Sequence, residues 1–295
     1  MTPVAVFAYN RPDHLSQTVT ALATNAEASD TALYVFSDAA ASDSDSPAIS
    51  GVRKLASGIR GFRSVDVVER SENYGLARNI MEGVSQLTEA HGRVIVLEDD
   101  LVVSPFFLRY MNQALHTYED EHRVASIHGY VYPTRQDLPE TFFLRGADCW
   151  GWGTWKRAWE HFEPDGNRLL AELAERRLER AFDFDGTFPY TRMLYRQTIG
   201  KNNSWAVRWY ASAFLADMYT LYPGRSLVRN IGHDYSGTHS RGREHFNVLL
   251  ASCPIEVQPI EVTQHPEAFR AFKRYFRSIN PRKTLISRLT RRIKR

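Results

Sequence analysis

Three consecutive acids, Glu98, Asp99 and Asp100, close the apolar run Val94, Ile95, Val96, Leu97. A run of that kind reads as a parallel strand buried on both faces, and a central strand that ends in carboxylates delivers them into a crevice. In open α/β sheets the ligand sits beyond the carboxyl ends of the strands, where acids can hold a hard divalent cation against a phosphate. The same triplet also suits a solvated turn ahead of a helix, since Ser104 and Pro105 look like a helix start.

Further polar groups fall at the ends of other strand-like runs. Arg11 follows Val4 to Tyr9, and its planar, permanently charged guanidinium suits a phosphate or a base. Asp38 follows the strand Ala32 to Phe36, where a carboxylate can accept hydrogen bonds from a ribose or a base; a small polar run, AAASDSDSPA, then reads as a mobile loop. Asn73 precedes a helix in which Arg78 and Asn79 lie near the first turn, Gly75 allows close backbone approach, and the free N–H groups suit an anion.

The elements that must position these groups alternate between strand and helix. Strands are expected at Val4 to Tyr9, Ala32 to Phe36, Ser64 to Glu69, Arg93 to Glu98 and Val124 to Ile127. Helices fill the intervals to Ala23 and from Asn73, the latter with a core stripe of Leu76, Ile80, Val84 and Leu87, and a further helix runs from about Pro105 to Tyr118. This α/β pattern and the irregular sequence that follows it predict a nucleotide-type half over 1–130, a more irregular half over 131–264 and a basic tail over 265–295.

All six tryptophans lie in the second half. In ADCWGWGTWKRAW, glycines separate Trp150, Trp152 and Trp155, as expected of a loop that shows flat rings to a sugar, although a structural loop under the sheet has the same composition. NNSWAVRWYASAFL predicts a helix with Trp205, Trp209 and Phe214 on its core side, and a polar, glycine-rich loop carries His233, Asp234 and His239.

At 295 residues and 43% apolar content the chain can bury a proper core. Two cysteines, Cys149 and Cys253, exclude a disulfide framework and leave no zinc-type spacing. No signal-type or membrane-spanning run is evident, so the expected location is cytoplasmic, soluble or peripheral. From Lys273 to Arg295 there are ten Lys or Arg and no acid, which against the formal net +3 leaves the rest of the chain at −7. Leu285, Leu289 and Ile293 recur at helical spacing among those cations, as on an anionic membrane surface or in a solvated terminus. No nucleic-acid-binding signature accompanies the charge.

In order, VAVFAYNRPDHL, LYVFSDAA, ENYGLARNI and VIVLEDDLVVSPFFLRYM resemble the nucleotide-sugar-binding half of GT-A glycosyltransferases, with EDD in the place of a DxD-type motif. WGWGTW, SWAVRW and SLVRNIGHDYSGTHS are similar to bacterial relatives of N-acetylglucosaminyltransferase I, and the resemblance spans roughly residues 3–240. It implies a GT-A, Rossmann-like mixed sheet flanked by helices, with a nucleotide-sugar-binding half over 1–130 and an acceptor-binding half over 131–264, and transfer of a sugar from a nucleotide-sugar donor to a glycan or lipid-linked acceptor. Asp100 would ligate Mn²⁺ or Mg²⁺ with Glu98 and Asp99 nearby, and Arg11, Asp38, Asn73, Arg78 and Asn79 would surround the nucleotide. The family's acidic pair flanked by tryptophans is absent from SWAVRW, which leaves Asp148 and Asp185 as the candidate bases. A nucleotidyltransferase shares the α/β half but needs a glycine-rich phosphate loop after the first strand, and none is present. A carbohydrate-binding protein of the same fold without turnover is the non-enzymatic alternative.

Overall fold

The computed structural model describes residues 1–233 and 244–279. Four strands, β1 (Val4–Ala8), β2 (Ala32–Ser37), β3 (Ser64–Glu69) and β4 (Arg93–Glu98), alternate with helices α1 (Pro12–Ala23), α2 (Ser46–Gly58) and α3 (Gly75–His91). They pair in parallel as β3-β2-β1-β4. The two central strands, β1 and β4, carry continuous apolar runs because helices cover both of their faces, and Val4 to Ala8 and Val94 to Leu97 are all buried.

The chain continues through β5 (Leu101–Val103), α4 (Phe107–Thr117), β6 (Val124–His128), β7 (Thr141–Arg145) and β8 (Trp152–Trp155). Short helices α5 (Lys156–Trp159) and α7 (Glu179–Phe182) flank α6 (Gly166–Glu175). Next come α8 (Tyr190–Thr198), α9 (Trp205–Leu215), β9 (Tyr219–Pro223), β10 (Val228–Asn230) and α10 (Pro266–Ile279). Strands β8, β6, β9 and β7 extend the first four into one eight-stranded mixed sheet, in which β8 runs antiparallel to both β4 and β6. Residues 1–130 and 131–264 therefore share a sheet. A second apolar cluster, with Phe182, Phe214, Phe272 and Phe276, joins α9 and α10 to the outer face.

Three expectations change. Six of the ten residues of the polar run after Asp38 belong to a 3-10 turn (Asp43–Asp45) and the start of α2. Leu76 is 51% exposed, because the inward stripe of α3 begins one residue later, at Ala77, and continues through Ile80, Val84 and Leu87. The WGWGTW segment is not a sugar-facing loop in its Trp152–Trp155 part, which is a central strand with both indoles buried. Trp152 packs against Trp205, Trp159 and Trp209 at ring-centroid distances of 5.4, 5.8 and 5.9 Å. Gly153 serves close packing, since a Cβ there would lie 2.9 Å from Met111 and 3.1 Å from Leu115 of α4.

Among the described residues no helix is long and apolar enough to cross a membrane. Asp234, His239 and the cationic tail from residue 280 onward lie outside the described residues.

Candidate active site

The acid triplet sits where β4 leaves the sheet. Asp99 N donates to Phe7 O at 3.0 Å, and Thr18 Oγ1 donates to Asp99 O at 2.7 Å, which locks the turn against β1 and α1. Arg11, at the start of α1, reaches back so that its Nη2 pairs with Asp99 Oδ1 and, at 3.0 Å, with Asp100 Oδ2. Burial opposes the Arg11 charge, but the two carboxylates outweigh it and hold its pKa above the ordinary value. Burial pushes Asp99 up to about 6 against the pull of Arg11, with the Asp100 charge adding to the rise. Burial, then Asp100 and Asp99, raise Glu98 to about 8. Three acids therefore crowd around one guanidinium, and the cluster is short of positive charge.

The second half closes over this edge. β10 pairs antiparallel with β5, and Ile231 N donates to Asp100 O at 2.9 Å. Gly232 follows, where a Cβ would meet Asp100 Oδ2 at 2.1 Å, so only a glycine lets the backbone pass. Sequence reasoning missed this cover, because the partners of β5 lie more than a hundred residues away.

The donor set fits a hard divalent cation. Asp100 Oδ1 is buried with no hydrogen-bond partner, and no hydrogen bond contributes to the Glu98 environment among the described residues. Two carboxylates thus offer oxygens to the same edge. No group of three or more His, Cys, Asp or Glu side chains among the described residues forms a full cage. Mg²⁺-type sites commonly use one or two carboxylates and complete their shell with water and substrate phosphate.

The strand ends beside the acids are arranged differently from expectation. Asp38 is buried and caps α3: its Oδ1 accepts from Tyr74 N at 2.8 Å and its Oδ2 from Gly75 N at 2.8 Å. The anion at this helix start is therefore a side chain of the protein. Asn73 Nδ2 donates to Ala39 O at 2.7 Å and lies 3.4 Å from Asp38 Oδ2. Asn79 is buried and accepts from Arg70 Nε at 2.9 Å. Arg78 is exposed, pairs with Glu82 at 2.7 Å and Glu72 at 3.1 Å, and stacks over Tyr74. Its charge is matched on the surface by these two exposed glutamates. Arg70, which sequence reasoning did not single out, stacks over the Tyr74 and Phe36 rings and keeps Nη2 buried with no hydrogen-bond partner.

One residue beyond Gly232, His233 joins the lining of a cleft of about 860 Å³. Trp150, Tyr132, Tyr190 and Phe246 line it together with Asp148. Burial, then the charges of Asp148, Glu98 and Asp100, hold the Cys149 thiol far above its usual range. Asp148 Oδ2 accepts from Tyr132 Oη at 3.1 Å and lies 3.5 Å from Tyr222 Oη, while its Oδ1 accepts from Cys149 N at 2.9 Å. His128 stands behind, its Nε2 4.0 Å from Asp148 Oδ1. That Nε2 accepts from Trp150 N at 3.0 Å, and Nδ1 donates to Tyr130 O at 2.8 Å, an assignment that makes the ring neutral. Burial holds the His128 pKa below its ordinary value despite the Asp148 charge. Asp185 is not part of the cleft: it sits in a left-handed turn (φ 56°) and pairs with Lys273 of α10 at 2.6 Å.

Residues 2–142, a little under half of the chain, match the family model described as "Glycosyltransferase like family 2". They carry β1 to β6, the acid triplet and Arg11. Among solved structures the chain is similar to the mannosyltransferase PcManGT from Pyrobaculum calidifontis in complex with GDP-Man and Mn²⁺. The identity is 17% over 46% of this chain and 36% of that one, with a TM-score of 0.35. It is also similar to S. aureus TarS, at 15% identity over 50% of this chain and 25% of that one, with a TM-score of 0.32. The chain thus spans about a third and a quarter of those lengths. No curated protein matches it.

Proposed function

We propose that this chain, whose first half matches a glycosyltransferase family, is a metal-dependent glycosyltransferase using a nucleotide sugar. The sugar would be a hexose or N-acetylhexosamine, and the acceptor a glycan or lipid-linked saccharide in polysaccharide assembly on the cytoplasmic side of a membrane. The observation that carries the reading is the buried, unpartnered Asp100 Oδ1 in a cluster short of positive charge, beside a cleft large enough for a saccharide.

Asp100 and Glu98 would hold Mn²⁺ or Mg²⁺, which when bound supplies charge stabilisation to a departing diphosphate. Arg11 adds a second positive charge at the same edge, and because it bridges Asp99 and Asp100 it also keeps their side chains in place. Trp150 and the neighbouring tyrosines offer flat apolar faces to the acceptor sugar. Asp148 would take the proton of the acceptor hydroxyl as that oxygen bonds to the anomeric carbon and the bond to diphosphate breaks, the course of an inverting transfer. Tyr132, Tyr222 and Cys149 N fix the carboxylate for that task.

The test is binding of a panel of nucleotide sugars, with and without Mn²⁺, to the wild type and to Asp100→Ala. Metal-dependent binding that disappears in the variant supports the donor site. A wild type that binds no nucleotide sugar under either condition overturns the transferase reading.

A further inference from the structure

The cleft that holds Asp148 is also lined by cations. Arg192 and Arg196 of α8 and Lys201 beyond its end all face it. Arg192 and Arg196 stand four residues apart, one above the other on the helix, while Leu194 turns the other side of α8 into the second apolar cluster. Lys201 is drawn to the same wall because its backbone N donates to Arg196 O at 2.8 Å. Arg78, Arg109, Arg145, Arg168, Arg176 and Arg225 each pair with a carboxylate, whereas no ion pair engages these three among the described residues. Like charges at this spacing repel, and an anion between them reverses the sign of that term.

We propose that this wall is an anion subsite for the acceptor: the accepting saccharide carries a phosphate ester beside the sugar that Asp148 serves. The inference rests on the acceptor reading of the cleft and deepens it. Two arginine forks present paired N–H donors in the geometry that phosphate oxygens accept. Asp148 repels the same phosphate, so the acceptor has one orientation, with its hydroxyl toward Asp148, its ring on the aromatic floor and its phosphate against α8. The donor diphosphate does not need these cations, because at the acid edge it would meet Arg11 and the divalent cation that Asp100 and Glu98 would hold.

The experiment compares binding of hexoses and N-acetylhexosamines, each as the 1-phosphate and as the neutral methyl glycoside, to the full chain by calorimetry. Wild type is expected to favour the phosphate form by about tenfold, the size of one charge-assisted hydrogen bond. The preference should shrink with added salt, vanish in Arg192→Gln/Arg196→Gln and largely persist in Arg192→Lys/Arg196→Lys. Thermal melts confirm that both double variants fold. Equal binding of the two sugar forms by wild type, or a preference that survives the Gln pair, overturns the inference. A long-chain alkyl phosphodiester that binds more tightly than its methyl counterpart assigns the phosphate to a lipid-linked acceptor; equal binding assigns it to a phosphorylated glycan. Nucleotide-sugar binding with Mn²⁺ is measured on the same proteins. Its loss in a folded Gln pair gives the cations to the donor and overturns the inference alone. Arginine-dependent binding of sugar phosphates by a wild type that binds no nucleotide sugar sinks the transferase reading and leaves the subsite standing.

Discussion

The acid edge and the cation-lined cleft are short of opposite charges. At the edge, Glu98, Asp99 and Asp100 share a single guanidinium, and burial raises the pKa of both Glu98 and Asp99. In the cleft, the one carboxylate is satisfied by tyrosine hydroxyls and a backbone N–H, while the facing cations carry no counter-charge among the described residues. One region asks for a cation and the other for an anion. A donor diphosphate brought in with a metal, and an acceptor bearing phosphate, would answer both without crossing over.

That division predicts different kinetic signatures for two chemically identical substitutions. Asp100→Asn should abolish Mn²⁺-stimulated nucleotide-sugar binding, with activity falling by about 10³-fold or more, since a metal-borne charge is lost from the step in which the diphosphate leaves. Asp148→Asn should lower kcat by about 10²- to 10⁴-fold, the usual contribution of a general base, with donor affinity unchanged. Isothermal titration with donor and steady-state kinetics with acceptor separate the two. If both variants lose donor affinity, the regions act as one site and the comparison fails.

The tryptophans sharpen the same contrast. Trp152 is fully buried among three other indoles, so Trp152→Ala should destabilise the fold by about 3–5 kcal/mol in a denaturant melt. Trp150 lines the cleft, and Trp150→Ala should weaken acceptor binding more than it weakens the fold. A Trp152 variant with native stability and lost sugar binding would restore the sugar-facing loop expected from WGWGTW.

The two regions also titrate with opposite sign. Raised carboxylates at the edge favour proton uptake by the folded state, so their contribution to stability grows as pH falls through about 8 and then 6. His128 is the reverse case. Its folded pKa lies below the ordinary value, so below about pH 6.5 the unfolded chain takes a proton that the folded ring resists, and stability is lost as pH falls. Among the described residues the groups that face it are Asp148, which is charged, and Tyr130 and Tyr222, which are neutral in this range. Melting temperatures of wild type and His128→Gln between pH 7.5 and 5.5 isolate its share, because the edge is common to both. The wild type should lose more stability on acidification, and parallel curves would refute the assignment.

How far each region could be read from sequence follows from how it is built. The triplet, β1 to β4 and their helices are written in contiguous apolar runs and helical stripes, and these segments carry most of their own folding instructions. The helix-start N–H groups at Tyr74 and Gly75 and the carboxylate of Asp38 were each legible as donors and acceptor; that they satisfy one another was not, because 36 and 37 residues separate them. The Gly–Trp alternation of β8 gives no local sign that α4 packs onto Gly153. Asp148 owes its position to Tyr132 and Tyr222, and Asp100 its cover to β10, contacts that span up to 74 and more than a hundred residues. Pattern finds a site made from one stretch and loses a site made from five.

Arg11 and Arg78 provide the smallest and most selective check. Both arginines begin helices that follow strands, and sequence spacing treats them alike. Arg11 is half-buried between two acids of the candidate metal edge, whereas Arg78 is exposed, matched by Glu72 and Glu82, and stacked on Tyr74. An exposed, paired cation contributes little to stability or to a neighbouring site. Arg78→Ala should therefore leave nucleotide-sugar affinity within about twofold of wild type under the salt conditions that serve the wild type. Arg11→Ala should weaken it by far more, because Asp99 and Asp100 lose the guanidinium that bridges them. A comparable loss in both variants would move the nucleotide toward α3 and the Asp38 cap, and would return Arg78 to the donor site.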